Sequence, residues 1–259
     1  MDLNADLGEG FGIWRLGDDA AMLGVVTSAN VACGFHAGDA STMRAACAEA
    51  AARDVAVGAQ VSYNDLAGFG RRRIDYAPDE LRDEVLYQLS ALDGIAHVCG
   101  TRVTYVKPHG ALYNTAADDP RQAEAVVAAV AEYSSGLAVL GLPGSALLRA
   151  AESAGLRPVT EGFADRNYTP EGRLVPRSRP DALVTDPVAV AERAVRMAGG
   201  SIVAVDGTEL RQTVESICVH GDTPGAVALA SGVRAALNGA GIQLIPFAPW
   251  LSVRPSGLR

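Results

Sequence analysis

The 259-residue chain is 49% hydrophobic and 20% charged, a globular balance that excludes a disordered or fibrous protein. Its formal charge of −8 repels phosphate backbones and anionic lipid headgroups, so neither nucleic acid nor a membrane surface is expected as a partner. No apolar run approaches the roughly 20 residues that span a bilayer, and Met1 to Glu9 are polar and acidic where a signal peptide is basic then apolar, so a cytoplasmic location is expected.

In chain order the sequence alternates short β-branched or apolar runs, polar glycine-containing turns and Ala-rich helical stretches, the pattern of a parallel sheet. Strands are expected at Leu3 to Leu7 and Thr27 to Cys33, then a helix from Ala40 to Arg53 capped by Asp39 or Ser41. A strand at Ala56 to Val61 and a glycine-arginine loop lead to a helix from Pro78 to Val98, whose first turn holds Asp79 and Glu80. Strand Arg102 to Lys107 precedes a helix opened by Asp119-Pro120 and ending near Tyr133. Strand Leu137 to Leu142 precedes a helix ending at Gly155, and strand Pro158 to Gly162 leads into a loop from Asp165 to Pro180. A helix follows Asp186-Pro187, and Ser201 to Thr213 reads as an irregular excursion or small hairpin. Strand Ser216 to His220, helix Thr223 to Asn238 and strand Ile242 to Phe247 complete a domain of residues 1–247, with 248–259 as a loose tail.

Seven or eight parallel strands fit either a closed (β/α) barrel or an open doubly wound sheet. The barrel is favoured because polar residues cluster after nearly every strand, and only closure brings all those strand ends to one mouth. These clusters hold His36, His109 and His220, each followed by Gly or by Ala-Gly, whereas His97 falls near a helix end and reads as structural. Asp6 and Glu9 offer carboxylates as a base or to hold a histidine tautomer, with turn capping as the plain alternative. The one lysine among 22 basic residues is Lys107, at a strand end. Asp6, His36, Lys107, His109 and His220 are therefore the candidate catalytic residues. Asn30, Gln60 and Glu161 from the same strand ends, with the loop residues Arg71, Arg72, Arg166 and Arg177, are the candidates for holding a small anionic substrate. Cys33, Cys47, Cys99 and Cys218 form no C-x-x-C pair and read as free thiols, and there is no G-x-x-x-x-G-K-[ST] phosphate loop.

The segments DLNADLGE, SANVACGFHAGD, KPHGALYN, EGFADRNY with LVPR, and SICVHGDTP resemble those of the LamB/YcsF family of 5-oxoprolinase A-type chains, in order and from residue 2 to about 247. The resemblance implies a (β/α) barrel similar to that of glycoside hydrolases and carbohydrate deacetylases. It also implies cleavage of 5-oxoproline to glutamate with ATP as cosubstrate, in a complex with separate B and C subunits. An arginine would then hold the substrate carboxylate, Lys107 and a histidine would stabilise charge on oxygen, and Asp6 or His109 would position water. Two alternatives stand beside this: a metal-dependent deacetylase-like hydrolase with Asp6, His36, His109 and His220 as ligands, and a lactam-binding subunit without chemistry of its own.

Overall fold

The computed structural model describes residues 1–220 and 225–249. Strand β1 (Asp2–Leu7) is followed by a short helix α1 (Asp19–Leu23), β2 (Ser28–Ala32), α2 (Ala40–Ala52), β3 (Ala56–Val61), α3 (Pro78–Val98) and β4 (Val103–Pro108). Next come α4 (Gly110–Asp118), α5 (Pro120–Tyr133), β5 (Ala138–Gly141), α6 (Ala146–Ser153), β6 (Arg157–Phe163) and α7 (Pro187–Ala198). A small antiparallel ribbon of β7 (Ser201–Val203) and β8 (Glu209–Arg211) precedes β9 (Ser216–Cys218) and α8 (Ala226–Gly239). The anticipated side-chain caps form: Asp39 accepts from Thr42 N, Asp119 from Arg121 N and Gln122 N, and Asp186 from Val188 N and Ala189 N.

The sheet closes as a parallel barrel in the order β1-β2-β3-β4-β5-β6-β9. Seven strands suffice because β9 pairs with β6 on one side and with β1 on the other, leaving no edge for an eighth. The strand expected at 242–247 is thus corrected. That segment crosses the N-terminal end of the barrel, where Ile245 N donates to Met1 O at 2.9 Å and Phe247 packs edge-on against Tyr105 at 4.8 Å. It closes the floor as a plug. Two short helices, α1 and α4, were also not expected; α4 begins inside KPHGALYN, where Pro, His and Gly read as a loop. The helix start expected at Thr223 lies outside the described residues, as does the tail beyond 249.

Side-chain alternation sets the two faces of each strand. On β1, Leu3, Ala5 and Leu7 join the apolar layer beneath the helices, while Asp2, Asn4 and Asp6 hydrogen-bond inside the barrel. The interior is therefore polar along β1, β2 and β9 and apolar near the floor, where Ala56, Tyr105, Ala138, Leu140 and Val159 cluster. Tyr105 is fully buried and its hydroxyl donates to Asn30 Oδ1 at 2.7 Å. A Cβ on Gly58 of the neighbouring strand would overlap the Tyr105 ring. Gly58→Ala is expected to cost about 1–3 kcal/mol through this overpacking, read as a lower urea midpoint at unchanged slope. An unshifted midpoint would show that the ring has room to move.

Candidate active site

The mouth of the barrel is built around Lys107, the penultimate residue of β4. Its Nζ lies 2.7 Å from Glu161 Oε1 of β6 and 3.2 Å from Asp6 Oδ1 of β1, and it donates to Asn4 Oδ1 at 3.2 Å. Burial alone would discharge the ammonium, but the Asp6 and Glu161 carboxylates hold its pKa well above the ordinary lysine value. Burial likewise opposes the Asp6 charge, yet the Lys107 ammonium keeps that carboxyl well below its usual range. The Cys218 thiol, 3.3 Å from Nζ, is pushed up by burial and stays protonated. Every partner of this cation is itself tied: Asn4 Nδ2 donates to Glu161 Oε1 and Ser216 Oγ, Asn30 Nδ2 to Asp6 Oδ1, and the Tyr113 hydroxyl to Glu161 Oε2 at 2.8 Å. A satisfied network of this kind fixes the position of one positive charge at the base of a cavity.

On one wall, His109 Nε2 donates to Phe69 O at 3.1 Å, so Nδ1 is the bare nitrogen and accepts from Gln60 Nε2 at 3.0 Å. Glu9 Oε1 and Asp6 Oδ2 lie 3.5 and 3.8 Å from the same Nδ1. His36 stacks on His109 with ring centroids 3.8 Å apart, and its Nε2 is 3.3 Å from Glu9 Oε1. Gly70, at φ +65°, lies against both rings; a Cβ there would fall 2.9 Å from His36 Cβ and 3.0 Å from His109 Cδ2.

Burial drives the His36 pKa down to about 4 and lowers that of His109 as well, with the adjacent His36 adding to the latter. Both imidazoles are therefore neutral where the unfolded chain, titrating near 6.5, begins to protonate. The stability that this neutral burial contributes is complete above pH 6.5 and is lost as pH falls toward 4, by about 3 kcal/mol for His36. His36→Phe keeps a stacked ring and removes the proton site. Its urea midpoint should fall less steeply over that pH window than the wild-type midpoint, and parallel curves would exonerate His36.

The opposite wall carries a third histidine with a different arrangement. His220 Nδ1 lies 2.7 Å from Asp165 Oδ2, which also accepts from the His220 backbone N–H at 3.2 Å. Burial opposes the Asp165 charge, but His220 and the bonds it donates hold the carboxyl below its usual value. An ionised carboxylate only accepts, so the proton sits on Nδ1 and the lone pair on Nε2. Phe163 stacks on His220 at 5.6 Å and lies 5.2 Å from Lys107 Nζ, joining the two centres through an apolar surface.

Asp6, Lys107, His109, Phe163 and His220 line one cavity of about 430 Å³, with Arg71, Arg166, Arg173 and Arg177 around it. Arg166 is buried and donates to Val175 O and Ala182 O, which fixes the loop from Asp165 to Pro180 over the mouth. Burial and the charge of Arg177 lower its pKa to about 10, still cationic at neutral pH.

The structure thus gathers Asp6, His36, Lys107, His109, His220 and Glu161 at one end of the barrel, with Arg71, Arg166 and Arg177 at the same cavity. Asn30 and Gln60 lie beneath it as hydrogen-bond supports for Asp6 and His109. Arg72 stands apart: it is exposed, pairs with Asp65 and does not line the cavity. Residues 221–224, the end of the last polar cluster, lie outside the described residues. Three residues of the site were not singled out in the sequence. Asp165 is hidden in a polar loop and Phe163 reads as a strand end, whereas Tyr113 follows His109 by four residues, one helical turn, and would emerge once α4 is assigned.

Glu9, His36 and His109 place one ligand atom each within 4.8 Å of one another, a grouping that can hold a metal ion. The two imidazole planes, however, are 12° from parallel and stacked, so their in-plane lone pairs run side by side instead of converging. His220 is held by Asp165 on the other wall. The arrangement does not fit ligation of one ion by both His36 and His109.

Fold and site together define a parallel α/β-barrel protein with an acid-base and cationic centre at the C-terminal mouth of the barrel, the position where such barrels carry their sites. The chain belongs to the LamB/YcsF family, whose pattern matches residues 1–252. It is 59% identical over 248 residues to a Mycobacterium avium protein named as the A subunit of 5-oxoprolinase, covering 95% of this chain and 98% of that one. A Streptomyces avermitilis protein of the same name is 59% identical over 249 residues, covering 96% of this chain and 100% of the relative. The crystal structure of a lactam utilization protein from Thermus thermophilus superposes with a TM-score of 0.90 at 42% identity, covering 95% of this chain and 99% of that one. Among the described residues no helix is long and apolar enough to cross a membrane.

Proposed function

We propose that this chain is the lactam-handling component of a cytoplasmic ATP-dependent 5-oxoprolinase, which cleaves 5-oxo-L-proline to L-glutamate while ATP becomes ADP and phosphate, in a complex with B and C subunits. One observation carries the reading: a buried ammonium, Lys107, and a histidine oriented by Asp165, His220, face the same cavity beside several arginines. The names of the close relatives supply the lactam.

A five-membered lactam is an unactivated amide, so its carbonyl oxygen needs a better electron sink before water attacks. Transfer of the ATP γ-phosphoryl group to that oxygen provides one, and with no phosphate-loop motif in this sequence the chain does not hold the nucleotide in such a loop. An arginine among Arg71, Arg166 and Arg177 pairs with the substrate carboxylate. Lys107 offsets the charge on the carbonyl or phosphoryl oxygen. His220 Nε2 takes the proton of the attacking water, and Asp165 stabilises the imidazolium that forms. Breaking the ring C–N bond, with that proton passed to nitrogen, leaves an acyl phosphate that a second water converts to glutamate and phosphate. The geometry favours His220 over His109 as base, because the His109 lone pair is already occupied by Gln60.

Glutamate release from 5-oxoproline and ATP, measured for the chain alone and with B and C subunits, tests the reading. Product is expected only in the full mixture; none in any mixture of folded proteins would overturn it.

A further inference from the structure

Between Gly10 and Gly17 the sequence reads GFGIWRLG. Phe11, Ile13, Trp14 and Leu16 are 36%, 90%, 70% and 37% exposed. Other large apolar side chains at the surface, such as Leu66, Val98 and Val188, occur singly on separate elements, which is ordinary; a cluster of this size within a single loop is not. Nor is it a slack segment. Phe11 and Trp14 exchange backbone hydrogen bonds at 2.9 Å and their rings stack at 6.4 Å. Gly12 N donates to Asp39 Oδ2 at 2.6 Å and Gly38 N to Gly10 O at 2.9 Å, which ties the base of the loop to the N-terminus of α2. The apolar side chains are therefore held in water by a built structure, a form of preorganisation that lowers the entropy cost of binding.

We infer that this loop is the surface on which a partner chain of the oxoprolinase complex docks, an inference that rests on the function proposed above. Position argues for it: the loop leaves β1 immediately after Glu9, which lines the cavity, so a chain seated there sits at the mouth where an activated lactam would pass between subunits. Charge argues for the kind of partner. Arg15 is the loop's one charged residue, in a chain of net charge −8. A two-fold contact between copies of this loop would set Arg15 against Arg15, whereas a different chain can offer an apolar cleft edged by a carboxylate. Ile13 and Trp14 are the anchors that would fill such a cleft.

The test uses the full-length chain carrying Ile13→Ser and Trp14→Ser together, mixed with the B and C subunits. The variant is expected to bind 5-oxoproline alone as the wild type does, yet to associate with the partner subunits about 100-fold more weakly and to release glutamate only when those subunits are raised in excess. Undiminished association overturns the inference. So does intact association with lost lactam binding, which would make the loop a lid, or a wild-type dimer that the variant breaks while partner binding persists. A wild-type chain that does not associate with B and C at all overturns it too. If wild-type subunits associate through the loop but no glutamate forms, the docking surface stands and the oxoprolinase reading falls.

Discussion

Lys107→Met is expected to reduce glutamate formation by the complex by at least about 10²-fold, because the ammonium is a positive charge fixed between Asp6 and Glu161 at the cavity. The same change strands the Asp6 and Glu161 carboxylates, both buried, without their shared cation. Breaking a buried pair by removing one partner costs about 3–5 kcal/mol, so urea denaturation should show a clear loss of stability. The two effects separate in Lys107→Met with Glu161→Gln, which removes one stranded charge while leaving an amide whose oxygen can accept from Asn4 and whose NH2 can donate to the Tyr113 hydroxyl oxygen. That double variant should regain most of the stability and none of the turnover. A folded variant lacking Lys107 that keeps near-normal turnover removes the lysine from the mechanism.

Asp165→Asn should cost about 10²- to 10⁴-fold in kcat with little change in KM. The amide still meets His220 Nδ1, but it can donate as well as accept, so the imidazole is free to carry its proton on Nε2 and lose the lone pair that faces the cavity. Substrate binding by the arginines and Lys107 is untouched, and 5-oxoproline affinity measured by calorimetry should match the wild type. Turnover within tenfold of wild type would sink the assignment of His220 as base and return His109 to that role.

Several features of the site were legible in the chain itself, for identifiable reasons. Lys107 stands out because arginine fills every other basic position, and His36, His109 and His220 stand out because each follows an apolar run and precedes a glycine turn. A run of three arginines looks like one anion site, but adjacent residues in a loop point apart, and Arg72 pairs with Asp65. Asp165 was invisible as a partner for His220 because 55 residues separate them and no periodicity links a loop to a later strand.

The sequence by itself determined the alternation of strands and helices, the helix starts at Asp39, Asp119 and Asp186, the polar ends of the strands and the family, since these depend on local propensity, capping and residue order. Only the tertiary structure decided that the sheet closes at seven strands, that 242–247 serves as a plug, that Lys107 is shared by Asp6 and Glu161, and that Asp165 orients His220. Those outcomes follow from which strand edges meet and which buried charges find partners across the barrel, and such long-range pairing is set by closure of the whole sheet rather than by any stretch of neighbouring residues.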